Sequence, residues 1–386
     1  SGIDNLIKNH RYLEGIRNEI DFDIDGVVYK IDDFELQDRL GFVANAPRWA
    51  VAHKFSANSS ISIVKNIEIQ IGRTGALTPV AKINPVNIGG VMVSNATLHN
   101  EDEINRKDIR IGDVVTVERA GDVIPHVTHV DLSKRNKKSQ KFIFPKNCPS
   151  CGSPTIKDYN SITKKIDAVR RCTNEDYKCE KIVIEKLKHF VSKEAFSIEG
   201  LGKKIIENFW SLKIIRYPQD IFKLDFKKIE NLEGWGKLSV NNLKYSINQA
   251  RNVALNKFIF SLGIRHIGQE NAKIISNTLK TAENFFNLSL NFQAEVLSNI
   301  DGIGQVQINS IKEFFLEKEN KKILVELRKV LKISDNIEEK EDGSLKNKNF
   351  MFTGKLKGMS RAEAKSLIEK NSGKILSNVN KKLEYL

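Results

Sequence analysis

The four cysteines are the feature that most constrains this chain, because all of them fall within one stretch of a 386-residue sequence. Cys148 and Cys151 form a knuckle followed by glycine, and Cys172 and Cys179 come after a basic excursion of 20 residues. This C-x2-C-x20-C-x6-C spacing predicts a tetrahedral zinc site with protein ligands in all four positions, which favours a structural metal over a catalytic one. So short a segment buries too little apolar surface to fold alone, and we expect zinc to supply the folding free energy of a four-cysteine zinc finger over residues 144–181.

Two disulfides or four free thiols are the alternatives for these cysteines. Residues 1–20 carry six charges and no apolar block of seven residues, so they do not form a secretory signal, and disulfides are disfavoured. The longest uninterrupted apolar run has four residues, which is too short for a membrane span. We expect a cytoplasmic protein with no membrane partner.

The charge balance favours an anionic polymer as partner. Lys and Arg number 62 against 48 Asp and Glu, a formal net charge of +14. Residues 131–190 hold 15 basic and 7 acidic side chains, so +8 of that excess lies in this stretch. This pattern is typical of a nucleic-acid-binding surface, although a merely well-solvated basic protein is the alternative.

A glycine-containing tripeptide recurs four times after the cysteines. Its last glycines are 34, 32 and 36 residues apart, and each is followed four places later by an apolar residue, which predicts repeated helix-hairpin-helix units over residues 182–333. The tripeptides are Gly200-Leu201-Gly202, Gly234-Trp235-Gly236, His266-Ile267-Gly268 and Gly302-Ile303-Gly304.

Such hairpins allow a tight turn and direct the first N–H groups of the next helix outward, where they bind phosphates without reading bases. Ordinary helix caps in a bundle are the alternative. His266 replaces a glycine in the third copy, which makes phosphate binding there less secure. The predicted phosphate-binding positions are Gly200, Gly202, Gly234, Gly236, Gly268, Gly302 and Gly304.

Residues 57–143 are rich in short β runs broken by glycine turns. Four to six strands with one small helix near 100–107 predict an OB-type barrel, and an immunoglobulin-like sandwich is the competing fold. OB barrels bind oligonucleotides on one face. Arg73 and Arg119 stand beside glycines in this segment and are our candidates for contacts with a phosphate backbone.

Residues 1–56 predict a helix over 3–19 and two strands, Asp21 to Asp32 and Ala50 to Phe55. Alternation places Lys30 on a face with Gly26 and Val28, and Lys54 on a face with Ala50 and Ala52. A cation above small residues suits a phosphate or nucleotide cleft, because the ligand can approach closely. Two lysines extending into solvent are the equal alternative.

The last 53 residues predict a linker and the start of another domain. Residues 334–348 are charged and poor in apolar side chains, as a flexible linker would be. Residues 349–386 then predict a strand (349–355), a helix (361–370) and a second strand (374–379), a single β-α-β unit. The whole chain is thus predicted to be a multidomain α+β protein.

These segments together resemble the bacterial NAD-dependent DNA ligases. The runs Asp25-Gly26-Val27-Val28-Tyr29-Lys30 and Pro47 to Phe55 look like two nucleotidyltransferase motifs of that family, so residues 1–56 resemble the end of its adenylation domain. Gly72 to Gly75, Ser94 to Asn100 and Arg119 to Pro125 resemble its OB-fold, the cysteines its zinc finger, and the hairpins its helix-hairpin-helix domain. Met351-Phe352-Thr353-Gly354 resembles the start of its BRCT domain.

The resemblance implies sealing of 5′-phosphate/3′-hydroxyl nicks in duplex DNA through an adenylylated intermediate, in replication and repair. It implies NAD, Mg²⁺ or Mn²⁺, and a structural Zn²⁺, with nicked duplex DNA as partner and a monomeric protein. By motif, Lys30 and Lys54 would contact the AMP phosphate, and Asp25 would lie beside the metal and nucleotide, unless it is only a turn residue before Gly26. Arg48 is either a clamp or a surface charge, and Arg73 and Arg119 would hold the DNA backbone.

The match departs from the family in two respects. The Lys-x-Asp-Gly motif whose lysine carries AMP is expected to be absent, as is the module that binds the nicotinamide half of NAD. We therefore expect a chain truncated at both ends relative to the family. The alternative interpretation is a non-catalytic DNA-binding clamp made of OB-fold, zinc finger and hairpin repeats, whose affinity falls steeply with salt and shows little sequence preference.

Overall fold

The computed structural model of the chain describes residues 2–22, 24–43, 46–119, 124–160, 164–174, 177–298, 300, 302–335, 344–345, 348–353, 364, 367–368, 371, 373–376 and 383–385. They divide into two units. One contains the described residues within 1–57 and 338–386, and the other contains those within 58–119 and 124–337.

The first unit is built on a pair of antiparallel strands. Helix α1 covers one face of this pair, where the buried His10 ring stacks on His53 at 3.7 Å and the Tyr29 hydroxyl donates to the Leu6 carbonyl. Helix α2 begins where the Asp33 carboxylate accepts the Leu36 N–H, as an N-cap does. The elements are α1 (Ile3–Gly15), a 3-10 turn (Arg17–Glu19), β1 (Gly26–Lys30), α2 (Phe34–Leu40), β2 (Phe42–Val43), β3 (Ala46–Pro47) and β4 (Ala50–Lys54).

The second unit begins with a closed five-stranded barrel. Its strand order is β5-β6-β7-β9-β8, all pairs are antiparallel except β7 with β9, and one helix joins β7 to β8. This closed barrel confirms the OB-type fold and excludes the sandwich. The elements are β5 (Asn58–Ile71), β6 (Leu77–Ile88), β7 (Val91–Thr97), α3 (Glu101–Lys107), β8 (Val114–Arg119) and β9 (His126–Val130).

The cysteine segment forms a small module against the barrel. Strands β10 (Thr155–Asn160) and β11 (Lys165–Cys172) make a hairpin, and Ala76 of the barrel bridges to Arg171. The module and the barrel share one buried cluster. The longest chain excursion between the cysteines is therefore a β-hairpin that lies on the barrel.

The rest of this unit is helical and has its own core. A short parallel pair, β12 with β13, joins the middle of this helical segment to its last residues. The elements are α4 (Glu180–Phe190), α5 (Lys203–Ser211), a 3-10 turn (Pro218–Lys223), α6 (Phe226–Glu230), α7 (Lys237–Ala250), β12 (Asn252–Ala254), α8 (Leu255–Ser261), α9 (Gln269–Leu279), α10 (Ala282–Leu290), α11 (Glu295–Ser298), α12 (Gln305–Leu316), α13 (Lys318–Val330) and β13 (Lys332–Ser334). None of the helices in the described part of the chain is both long and apolar enough to cross a bilayer.

At the end of the chain, β14 (Asn349–Phe350) pairs in parallel with β15 (Lys374–Ile375). A parallel pair needs a crossover connection, as the β-α-β prediction requires. Both strands are shorter than predicted. Within the predicted helix over 361–370, the described residues 364, 367 and 368 are helical. The rest of that helix and most of the predicted linker over 334–348 lie outside the described residues.

Candidate metal and nucleic-acid sites

The four cysteine sulfurs lie close together. Their Sγ atoms all lie within 4.8 Å of one another, with Cys148 to Cys179 at 3.9 Å and Cys151 to Cys172 at 3.5 Å. A zinc ion bonded to four thiolates at about 2.3 Å places the sulfurs roughly 3.8 Å apart. The cluster therefore fits a tetrahedral metal of that size, and it is held in reach by a knuckle turn in which the Gly152 N–H donates to the Cys148 carbonyl.

Three of these cysteines are buried and Cys151 is half-buried. Burial raises the pKa of Cys172 and of Cys179. Burial also opposes ionisation of Cys151, but hydrogen bonds from Ser153 and the neighbouring thiols lower its pKa to about 6. Because a metal binds thiolates, its binding must release protons and weakens as pH falls.

Each of the four predicted hairpins turns as the glycine pattern requires. The first residue of each tripeptide has a left-handed φ, +87° at Gly200, +82° at Gly234, +63° at His266 and +88° at Gly302. The last glycine of each tripeptide is the N-cap of the next helix and makes no side-chain cap; these glycines are Gly202 (α5), Gly236 (α7), Gly268 (α9) and Gly304 (α12).

The apolar residue four places after each N-cap is buried, as the repeat predicts; these residues are Ile206, Val240, Ala272 and Ile308. A helix that begins at glycine leaves its first N–H groups without a side-chain acceptor. Such a terminus carries a partial positive charge and suits an anion. The repeat therefore supplies four termini of the kind that bind phosphate.

The two candidate arginines lie in different settings. Arg73 is half-buried in the β5–β6 turn, and its Nη1 donates to the Gly263 carbonyl at 3.1 Å. Burial lowers its pKa. Arg119 ends β8, opposite Asn58 in β5. Arg73 thus has a structural partner within the protein, and a DNA contact by either arginine stays a prediction.

The strand pair in the first unit brings the candidate nucleotide residues to one face. Gly26 pairs with Lys54 and Lys30 with Ala50, so both lysines lie on the face that α1 leaves uncovered, at opposite ends of the pair. The Lys54 ammonium donates to the Asp25 carboxylate, and this bond holds the pKa of Asp25 below its usual value. A Cβ on Gly26 would lie 2.5 Å from the carbonyl oxygen of His53, so the strands approach closely only because of this glycine.

One expectation from the sequence is wrong. A Lys-x-Asp-Gly tetrapeptide does occur, at residues 340–343. It stands in the charged segment predicted to be a linker, far along the chain from the strand pair, and it lies outside the described residues. The pattern alone therefore does not identify it as a nucleotide-carrying lysine.

The sequence patterns gave no indication of one ion-pair network. Arg265 donates to Asp158 and, at 3.2 Å, to Asp167, and Arg171 also donates to Asp167 at 3.2 Å. Arg171 reaches the Thr74 hydroxyl as well, at 3.1 Å. The partners in this network lie up to 107 positions apart in the chain, so no local spacing predicts it.

Comparisons with known proteins agree with this arrangement. Residues 1–58 match the model of the NAD-dependent DNA ligase adenylation domain, residues 61–139 that of the NAD-dependent DNA ligase OB-fold domain, and residues 257–324 that of the helix-hairpin-helix motif.

The similar proteins all carry the name DNA ligase. The chain is 71% identical over 385 residues to the DNA ligase of Pelagibacter ubique (strain HTCC1062), covering all of this chain and 57% of that protein. It is 44% identical over 395 residues to the DNA ligase of Xanthobacter autotrophicus, covering 98% of this chain and 55% of that protein. It is 43% identical over 414 residues to the DNA ligase of Sinorhizobium fredii, covering 100% of this chain and 58% of that protein. The chain spans a little more than half the length of these relatives.

Proposed function

The chain belongs to the NAD-dependent DNA ligase family, and from that membership we propose that it binds nicked duplex DNA and takes part in sealing the nick. In the proposed reaction NAD supplies the adenylyl group and releases nicotinamide mononucleotide, and the adenylyl group is joined to the 5′-phosphate of the nick. The 3′-hydroxyl then attacks that phosphate and displaces AMP. The roles assigned to the individual domains and residues below are parts of this proposal.

The observation that carries the proposal is the series of glycine-capped helix termini. Four helices begin at a glycine that makes no side-chain cap, and two residues before each of these glycines the backbone is left-handed. N–H groups at such termini bind phosphate oxygens whatever the base sequence. An enzyme that seals nicks must hold duplexes of any sequence, and backbone contacts of this kind serve that need.

The barrel and the cysteine module extend the proposed DNA-binding surface. Closed OB barrels bind nucleic acid strands, and this one carries the predicted contact residue Arg119 at the end of β8. Zn²⁺ would be held by the four cysteines, and because protein fills all four positions its role would be to fix the module, not to act on the substrate. Residues 57–143 and 144–181 are the proposed bounds of these domains.

In the first unit, the uncovered strand face is the proposed nucleotide face. Lys30 and Lys54 lie about 13 Å apart along the strands, at 3.3–3.4 Å per residue. Small residues between them leave room for a phosphate group, whose charge the two ammonium groups would neutralise. Asp25 offers a carboxylate to Mg²⁺ or Mn²⁺, and one carboxylate is enough beside the oxygens of a bound phosphate.

Three further assignments complete the proposal. Residues 1–56 would be the end of a nucleotidyltransferase domain, and residues 182–333 the hairpin domain. Residues 334–348 would be a linker to a BRCT-type domain that begins at 349 and includes the parallel pair β14–β15. The protein would act as a cytoplasmic monomer on DNA.

Two assays with this chain test the proposal. In the first, a labelled duplex with one nick is bound at 50 to 200 mM salt. Each phosphate neutralised by a lysine or arginine contributes about −0.9 to the slope of log affinity against log salt, so three such contacts would weaken binding about 40-fold over that range. Binding that does not change with salt would contradict the proposed contacts with the DNA backbone.

In the second assay the chain receives a nick already adenylylated at its 5′-phosphate, with Mg²⁺ and without NAD. Sealing is expected to be lost in Lys30→Ala and Lys54→Ala and kept in Lys8→Ala, an exposed lysine of α1. Equal rates in all three variants would refute the assignment of the two lysines. Salt-sensitive binding without any sealing would favour the clamp interpretation for this chain.

A further inference from the structure

The third hairpin differs from the others in what its loop contacts. We propose that residues 262–268 form a joint that fastens the helical domain to the barrel and the cysteine module, and that the duplex phosphates are held by the other three hairpins. This inference rests on the proposed binding of DNA and adds to it a division of labour among the repeats.

The barrel side of the joint is a contact between Arg73 and Gly263. The guanidinium of Arg73 donates to the Gly263 carbonyl at 3.1 Å, across 190 residues of sequence. Gly263 has a φ of +67°, and a Cβ there would lie 3.3 Å from the ring of His189 and 3.5 Å from Arg73. The ring of His189 is itself fixed, since its Nε2 lies 2.8 Å from the Phe260 carbonyl oxygen. The loop is thus packed closely against both neighbours.

On the side of the cysteine module, the joint is a network of ion pairs among four side chains. Arg265, on the hairpin loop, donates to Asp158 of β10 and to Asp167 of β11. Arg171 of β11 lies between them, 3.2 Å from Asp167 and 3.6 Å from Asp158. Two arginines and two aspartates balance in charge, and all four side chains are at least two-thirds covered. Charges this enclosed hold their geometry more firmly than an exposed pair.

The other hairpin loops make contacts inside the helical domain. In the first, the Glu199 N–H donates to the Ser246 hydroxyl at 2.8 Å. In the second, the Trp235 ring lies 5.6 Å from that of Phe209. A Cβ on Gly302 of the fourth would meet Ile274. These loops stabilise their own domain, whereas the third reaches outside it.

By the charge of its first turn, the third helix terminus is also the least suited to an anion. The first turn of α9 contains Glu270, whereas those of α5, α7 and α12 contain no acidic residue. Helix α5 begins with Lys203 and α7 with Lys237, which add positive charge. An acidic side chain at an N-terminus competes with an incoming phosphate for the same partial charge. Although Gly268 is exposed, the partial positive charge at the N-terminus of α9 is therefore already partly neutralised.

A matched pair of substitutions tests which hairpins hold phosphate. Helices α9 and α12 both begin with glutamine, so Gln269→Glu and Gln305→Glu place the same new charge at the same position. In a binding assay with a nicked duplex at 100 mM salt, Gln305→Glu should weaken binding about fivefold, and Gln269→Glu less than twofold. Equal weakening by both would overturn the inference, while a chain that binds no DNA at all would overturn the proposed function and the inference with it.

A second pair tests the joint itself. Arg265→Gln removes a side chain that bridges to another domain, and Arg328→Gln removes one whose partner, Glu283, lies in the same helical domain. Hydrogen exchange of the amides in 262–268 and in β10–β11 should quicken about tenfold in Arg265→Gln and not in Arg328→Gln. Arg265→Lys, which can keep one ion pair, should restore part of the protection.

The salt slope separates a joint from a DNA contact. If Arg265 only positions the hairpin domain, Arg265→Gln lowers affinity without changing the slope, because no phosphate contact is lost. If the slope of log affinity against log salt is smaller in magnitude by about 0.9 in Arg265→Gln than in the unsubstituted chain, Arg265 contacts a phosphate and the inference is overturned. Unchanged hydrogen exchange in Arg265→Gln would overturn it as well.

Discussion

Replacing Cys172 with serine tests how far the cysteine cluster supports its surroundings. Cys172 ends β11, its N–H donates to the Gly75 carbonyl at 2.9 Å, and its sulfur lies 3.5 Å from that of Cys151. Structural zinc contributes about 10–16 kcal/mol to the folding of small zinc domains, more than a module this short gains from its own apolar burial. We expect residues 144–181 to lose their fold in this variant while the helical domain keeps its own.

The barrel should be destabilised too, because its core continues into the module. Phe144 and Cys172 of the module belong to the same buried cluster as Leu77 and Val115 of the barrel. Exposing a buried phenylalanine costs about 1.5–3 kcal/mol. For a domain of roughly 80 residues each 1 kcal/mol moves Tm by about 4–8 °C, so the barrel Tm should fall by about 6–24 °C.

The assay combines metal analysis with hydrogen exchange during a thermal ramp, which reports the barrel strands separately from the helices. The unsubstituted chain should carry one zinc per molecule, and Cys172→Ser much less than one. Lys146→Ala, an exposed change in the same segment, is the control and should keep both metal and Tm. If Cys172→Ser retains stoichiometric zinc, or if its barrel melts within about 2 °C of the control, the proposed coupling between metal and barrel is wrong.

Three other predictions concern backbone and charge. Gly26→Ala should destabilise the β1–β4 pair by about 1–3 kcal/mol, seen as faster amide exchange there, because its Cβ would lie 2.5 Å from a backbone oxygen. Gly75→Ala should lower the barrel Tm more than Gly112→Ala: both have positive φ, but only at Gly75 would the Cβ lie 3.0 Å from a carbonyl oxygen of the cysteine module. The pKa of Asp108 is held at about 2, chiefly by hydrogen bonds from Arg110. The ionised carboxylate therefore contributes stability above about pH 4, and this contribution is lost as pH falls from about 4 through 2. Asp108→Asn should remove that part of an acid-unfolding curve.

The helical half of the fold could be predicted closely, because its repeat depends on local backbone chemistry. A glycine at positive φ and a second glycine as N-cap fix where a helix begins, and α5, α7, α9 and α12 all start one residue after the predicted glycine. The third repeat shows the limit of this rule. His266 adopts φ +63° although it is not glycine, so the surrounding packing imposes the turn that the side chain disfavours.

The candidate sites were predictable to different degrees. Cysteine spacing located the metal cluster, because ligands of one ion must converge. Strand alternation placed Lys30 on a face with Gly26 and Val28 of its own strand, and Lys54 on a face of the second strand. It could not show that the two faces are the same, which the pairing of Gly26 with Lys54 establishes. It could not show that Lys54 pairs with Asp25, since a contact across 29 residues depends on how the strands meet.

The unpredicted ion network changes how the cysteine cluster relates to the proposed DNA binding. The cluster fixes β11 through Cys172, and the same hairpin carries Asp158 and Asp167, which hold Arg265. Arg265 lies on the loop between α8 and α9, so the cluster is linked to the helical domain by a chain of short contacts. We therefore expect a metal bound to the four cysteines to govern where the proposed phosphate-binding termini stand relative to the barrel, although no cysteine needs to approach the duplex. A loss of DNA affinity on removing that metal would then measure misplacement of the hairpins, because the termini themselves lie in a domain with its own core.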